Sequence, residues 1–134
     1  MQTSYQNAVY ILDPDEAIRD GVRVLLDSFD IKVLTYANGR AFLQDADSAI
    51  HGCALIESQL PDLDGLTLLS RLREMGNNMP VLLLTSSPDE GLARHALESG
   101  VASVIRKPMD SEHLLRKLAS ILQPPPPGLA AFRT

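Results

Sequence analysis

Apolar residues along this chain fall into two alternating patterns. Short, nearly continuous runs, AVYIL at 8–12, IKVLTY at 31–36, CALIE at 53–57, PVLLLT at 80–85 and ASVIR at 102–106, are each followed by a longer stretch with more widely spaced apolar positions. Short runs rich in Val, Ile and Leu predict strands, and apolar residues returning every three or four positions predict helices. The first, third and fourth runs have almost no polar interruption, as in strands covered on both faces by crossover helices, so a parallel sheet in an α/β fold is expected.

Helix punctuation divides the intervening stretches. In DPDE (13–16), Asp13 is expected as the N-cap, Pro14 at the first helical position and Glu16 at the third, and SPDE (87–90) repeats the arrangement with Ser87, Pro88 and Glu90. Ile18, Val22, Leu25 and Leu26 fall on one stripe of the first helix, while Leu66, Leu69, Leu72 and Arg73 with Gly76 mark the third helix and its stop. Asn38 and Asp64 are the expected caps of the second and third helices. The last helix is expected from Ser111 to Leu122, with Leu114, Leu115, Leu118 and Leu122 buried. Four of the nine prolines then stand together in QPPPPGLAAFRT, a composition that favours polyproline II and excludes helix. The expected organisation is one domain over 1–122 and a proline-rich segment over 123–134, read as a linker to an output domain or as the tail of a stand-alone one.

A chain of 134 residues, 45% of them hydrophobic, suits one domain with a real core. The formal net charge of -5 argues against a nucleic-acid-binding face, which needs clustered Lys and Arg. No apolar segment approaches the roughly 18 residues of a membrane span, and Met1 to Asn7 carries no signal-peptide pattern, so the expected location is the cytoplasm. The single cysteine, Cys53, cannot form an internal disulfide and is expected as a buried small hydrophobe. His51, His95 and His113 have no metal-site spacing and are expected in solvent.

Ligand-binding residues of an open parallel sheet gather at the carboxyl ends of its strands. Here those ends carry Asp13, Glu57, Thr85 and Lys107, which places two acids, a hydroxyl and an ammonium within reach of one pocket. The surrounding motifs, VYILDPDEAIRDGVRVLL, YANGRAFL, GCALIESQLPDLDGLTLLSRL, PVLLLTSS and GVASVIRKPMDSEHLL, follow in an order and spacing similar to those of response-regulator receiver domains, the CheY-like superfamily and its FixJ type in particular. The resemblance covers residues 8–122. It implies a doubly wound, flavodoxin-like domain of five parallel strands in the order 2-1-3-4-5, flanked by five helices.

The resemblance also implies a chemistry. An aspartate on the third strand takes a phosphoryl group from a histidine kinase, and Mg²⁺ held by that aspartate, an acidic pair and a backbone carbonyl neutralises the transferring oxygens. Position by position, Asp13 matches the first acid of the pair, Thr85 the switch hydroxyl, Lys107 the phosphate-sensing ammonium, Pro108 the cis proline after it, and the Gln59 carbonyl the main-chain metal ligand. Three positions depart. The acceptor is Glu57, whose extra methylene moves the carboxylate by about 1.5 Å, against a tolerance of roughly 0.5 Å for a working site. The second member of the acidic pair is Pro14, which has no side-chain oxygen, and the aromatic switch residue is replaced by Val104. Mg²⁺ is therefore expected to bind weakly or not at all to Asp13, Glu57 and Gln59, and no cofactor is expected.

These departures point to an atypical receiver, or pseudo-receiver, whose acceptor site is occupied by a Glu57–Lys107 ion pair. It would regulate an output, expected to be transcription, through protein contacts and without catalysing a reaction. Capping outranks metal ligation as the expected role of Asp13; Thr85 is as readily a partner for nearby backbone as a signalling hydroxyl; Asp62 and Asp64 are explained by turn and cap chemistry. A homodimer is expected through the face of the fourth helix, fifth strand and fifth helix, where Arg94, Arg106, Arg116, Asp110 and Glu112 supply both signs of charge. Two rival readings are a phosphoryl-accepting receiver still served by a histidine kinase and a small-molecule-sensing α/β module. An enzyme with a phosphate-cradling loop is disfavoured, because LDPDEA has no glycine after the first strand.

Overall fold

The computed structural model describes residues 8–48, 50–87, 89–122 and 124–132. The polar 1–7 segment, Pro88 and positions 123, 133 and 134 lie outside the described residues. Strands β1 (Ala8–Leu12), β2 (Val33–Tyr36), β3 (Gly52–Glu57), β4 (Val81–Thr85) and β5 (Ser103–Arg106) form one parallel sheet in the order β2-β1-β3-β4-β5. Helices α1 (Glu16–Asp27), α2 (Gly39–Asp45), α3 (Gly65–Glu74), α4 (Glu90–Glu98) and α5 (Ser111–Ile121) alternate with them. This is the doubly wound arrangement that the sequence pattern and the resemblance imply.

Alternation along the strands builds two cores. Val9, Ile11, Cys53, Leu55, Leu82 and Leu84 face α1 and α5, whereas Ala8, Tyr10, Leu12, Ala54, Ile56 and Leu83 face α2, α3 and α4. Every residue of β1 and β4 is buried, which explains why those runs read as continuous apolar sequence. Burial pushes the Cys53 thiol up to about 12, leaving it an inert core group. Among the described residues no helix is long and apolar enough to cross a membrane.

Each helix starts from an Asp or Asn side chain: Asp15, Asn38, Asp64, Asp89 and Asp110 accept the orphan amides of the first turns. The expectations for Asn38 and Asp64 hold. Those for Asp13 and Ser87 do not, because the aspartate of each Pro-Asp pair, Asp15 or Asp89, takes the cap and the helix begins two residues later than the sequence reading placed it. Asp13 instead accepts the Asp15 amide at 2.9 Å through Oδ1, ahead of the helix, which leaves Oδ2 free to face the sheet edge. Asp62 has more than turn chemistry: its two oxygens accept the Gly39 and Arg40 amides at 3.0 and 2.8 Å, fastening the loop after β3 to the start of α2.

The tail also differs from expectation. Pro127–Phe132 forms a 3₁₀ turn, with Leu129 wholly buried against α5 and the Phe132 ring edge-on to Phe29 at 5.7 Å between centroids. Proline is tolerated at a helical start because its missing N–H would have no partner there, and Leu129 supplies the apolar anchor.

Gly52 opens β3 at φ +133°, where a Cβ would lie 1.8 Å from the Ala8 carbonyl oxygen. No side-chain adjustment relieves a clash with backbone. Gly52→Ala is expected to cost at least the ~1–3 kcal/mol of a strained backbone conformation, measured by urea unfolding; a loss under about 0.5 kcal/mol, the range of ordinary surface substitutions, would show that the β1–β3 contact is not this close.

Candidate functional site

The sheet order reverses direction between β1 and β3, and the carboxyl ends of the strands around that point carry the polar residues. Asp13 follows β1, its amide bonded to the Tyr36 carbonyl at 3.1 Å; Glu57 ends β3; Thr85 ends β4; Lys107 follows β5, its amide bonded to the Thr85 carbonyl at 2.9 Å. The backbone ladder thus fixes where each side chain starts. The Lys107–Pro108 peptide bond is cis, and Pro108 is exposed.

Lys107 joins the two acids. Its Nζ donates to Glu57 Oε1 at 2.5 Å and to Asp13 Oδ2 at 2.7 Å, and the side chains are 14% (Lys107), 10% (Glu57) and 1% (Asp13) exposed. The remaining oxygens are also engaged. Asp13 Oδ1 accepts the Asp15 amide, and Glu57 Oε2 accepts the Ser58 hydroxyl at 2.9 Å and the Gln59 amide at 3.2 Å. Arg19 reaches from α1 to the Asp13 carbonyl at 2.8 Å. Two carboxylates near one ammonium leave one formal negative charge in a largely dry place, a charge tolerated because every carboxylate oxygen has a donor.

Burial pushes the Glu57 carboxyl upward, but Lys107, the Gln59 amide and the Ser58 hydroxyl together hold it below the usual carboxylate range. Burial likewise works against the charged form of Lys107, and its bonds to Asp13 and Glu57 outweigh that and raise it. Both directions favour the ionised Glu57–Lys107 pair.

The loop after β3 holds Glu57 from behind. The Gly65 amide donates to the Ser58 carbonyl at 2.9 Å, and a Cβ at Gly65 would lie 2.9 Å from both the Glu57 carbonyl oxygen and Leu83 Cδ1, so the chain can turn this closely only with glycine there. Beside Glu57 opens a cleft of about 430 Å³ lined by Ser58, Gln59, Asp64, Thr85 and Ser86 among others. Thr85 Oγ1 accepts the Ser87 amide at 3.1 Å, the local bond that competes with a signalling role. Val104 packs half-buried on the α2–α4 side and Pro14 is exposed.

The donors present do not suit a divalent cation. Pro14 contributes no side-chain oxygen, and the two carboxylates, Asp13 and Glu57, each spend an oxygen on Lys107. No group of three or more His, Cys, Asp or Glu side chains among the described residues could hold a metal. The sequence reading brought Asp13, Glu57, Thr85 and Lys107 to one edge, but it put Asp13 on the helix instead of on Lys107. A helix-cap pattern is local and visible; a partner 94 residues away is not.

A parallel sheet that gathers two acids, a hydroxyl and an ammonium at its switch point has the layout of a receiver. Residues 9–119 match the response regulator receiver domain, and the chain belongs to that family. It is 30% identical over 120 residues to the transcriptional regulatory protein FixJ of Bradyrhizobium diazoefficiens, covering 90% of this chain and 58% of that one. With the response regulator protein TodT of Pseudomonas putida it shares 27% identity over 117 residues, covering 87% and 52%. Full-length FixJ from B. japonicum superposes with a TM-score of 0.81 at 29% identity over 90% of this chain and 59% of that one. The chain spans little more than half the length of FixJ and of TodT.

Lys107→Ala removes the ammonium bonded to two buried carboxylates and is expected to cost about 3–5 kcal/mol at neutral pH. The cost has a pH signature. Glu57 is depressed in the folded protein, so its contribution is present above its unfolded value of about 4.3 and lost as pH falls through the folded value; Lys107 is raised, so its contribution holds below about 10.4 and is lost as pH rises through its folded value. Urea unfolding of both proteins across pH should show the gap widest in that window and shrinking toward acid, where Glu57 takes up a proton. A gap independent of pH would mean that Lys107 acts by packing alone.

Proposed function

We propose that this domain is an atypical receiver whose state is set by its own charges: Lys107 is held by Glu57 and Asp13, and the domain regulates an output, transcription by likeness to FixJ, through protein contacts without being phosphorylated. The supporting observation is the complete engagement of the Glu57 carboxylate, Oε1 by Lys107 and Oε2 by Ser58 and Gln59. Phosphoryl transfer relies on positioning and on neutralising charge at the transferring oxygens. Here the available positive charge is already shared between two carboxylates, and a glutamate carries one more rotor than an aspartate between its backbone and its oxygens. The built-in ion triad replaces a ligand in deciding which of two conformations is populated. A cytoplasmic location and a regulatory protein partner accompany this reading.

Incubation with acetyl phosphate and Mg²⁺, followed by phosphate-affinity gel electrophoresis, tests it. The unmodified protein is expected to remain unshifted, Glu57→Asp to shift little because Pro14 still withholds an oxygen, and Glu57→Asp with Pro14→Asp to shift measurably. Robust phosphorylation of the unmodified protein would instead support a phosphoryl-accepting receiver under histidine-kinase control.

Self-association through α4, β5 and α5 is part of the same proposal. Arg94 and Arg106 are exposed there beside Leu97, which is 53% exposed. Arg116 is paired with Glu112 within α5, and Asp110 caps that helix, so these three already have local partners and Arg94, Arg106 and Leu97 carry the expectation. Sedimentation over a range of protein concentrations is expected to show a dimer without phosphodonor, weakened by Leu97→Asp; a monomer throughout would remove the dimer from the proposal.

A further inference from the structure

The segment after α5 is built from four consecutive prolines and then GLAAF. Prolines contribute no backbone N–H, so this stretch has little with which to extend a ladder or helix, and it holds its place through side-chain contact. Leu129 is wholly buried in the core shared by α1 and α5. Its amide donates to the Pro126 carbonyl at 2.9 Å, closing the turn on itself.

The wall opposite is preformed. After α1 the chain turns through Asp30, at φ 61°, with the Phe29 and Ile31 amides both bonded to the Leu26 carbonyl at 3.0 and 3.1 Å, which fixes Phe29. Phe132 meets the Phe29 ring edge-on. Gly128 passes so close that a Cβ there would lie 3.2 Å from Phe29 Cδ1 and 3.4 Å from its carbonyl oxygen.

We propose that residues 124–132 are a self-docked clasp: Leu129 and Phe132 fill an apolar groove between α5 and the turn after α1, and the clasp opens and closes independently of the sheet. While seated it closes that groove to other molecules and holds residues 124–132 against the α1–α5 side of the domain. The independence follows from the bonding. The sheet is held by continuous backbone ladders and two buried cores, whereas the chief apolar anchors of the clasp are one buried leucine and one aromatic edge, and segments held mainly by apolar contacts open at lower free energy than the ladders they cover.

Amide hydrogen exchange on the full chain decides the matter, with Leu129→Asp and the milder Gly128→Val as separate wedges. In the unmodified protein the Leu129 amide is expected to exchange at least about tenfold more slowly than an unstructured amide but well before those of β1, β3 and β4. Both variants are expected to abolish its protection, to raise binding of a hydrophobic dye, and to leave the sheet amides protected. If Leu129→Asp unfolds the domain, Gly128→Val carries the test alone, since its Cβ is crowded against Phe29 of the groove wall. Unprotected amides over 128–132 in the unmodified protein would overturn the proposal, as would protection unchanged in Gly128→Val or lost together with that of the sheet.

Discussion

The ammonium of Lys107 is the point on which the carboxyl edge of this domain turns. It touches the last residue of β3 and the residue after β1, and it is delivered from the end of β5, so one cation ties three strands together across the place where the sheet changes direction. The strands need no such tie for their own pairing. The acids need it: buried carboxylates without a counter-charge would take up protons or water, and the pocket would not keep its shape. The Asp15, Ser58 and Gln59 donors complete the coordination and make the site a closed electrostatic unit.

That closure separates architecture from chemistry. The chain belongs to the receiver family and has its sheet, its switch point and its lysine, yet where that resemblance expects an aspartate acceptor and a second acid beside Asp13 it has Glu57 and Pro14. Glutamate's extra length is useful for an ion pair, since it lets the carboxylate reach Lys107 while its second oxygen folds back on the Ser58 and Gln59 donors. The same length is a handicap for in-line transfer, where position must hold to a fraction of an ångström. In the proposed reading, this substitution favours a permanent internal partner over a transient covalent one.

Much of this was legible in the chain because the signals are local. Continuous apolar runs marked the strands, and Asn38 and Asp64 marked helix starts that hold in the structure. The errors have a common origin in Pro-Asp pairs. DPDE and SPDE each contain two candidate caps separated by a proline, and local rules favoured the first, whereas the structure uses Asp15 and Asp89. For Asp13 the deciding force is Lys107, a charge that sequence spacing cannot show. Asp62 bonding to α2 and Leu129 returning to α5 share that character: each is a contact made only after the sheet has brought distant segments together. The Glu57–Lys107 pair could be expected because a buried charge needs a partner, but the partners of Asp13, Asp62 and Leu129 could not be read from the chain.

Carbon-13 NMR of the Glu57 side-chain carboxyl, followed through a pH titration with and without millimolar Mg²⁺, tests the central claim most directly. A carboxylate locked to Lys107 should titrate below the ordinary glutamate value of about 4.3, with a midpoint that Mg²⁺ leaves unchanged and that moves upward in Lys107→Met. A midpoint at or above that value, or a resonance that shifts with Mg²⁺ as a ligand would, would contradict the account by showing that Glu57 is free to serve a metal or a phosphoryl group.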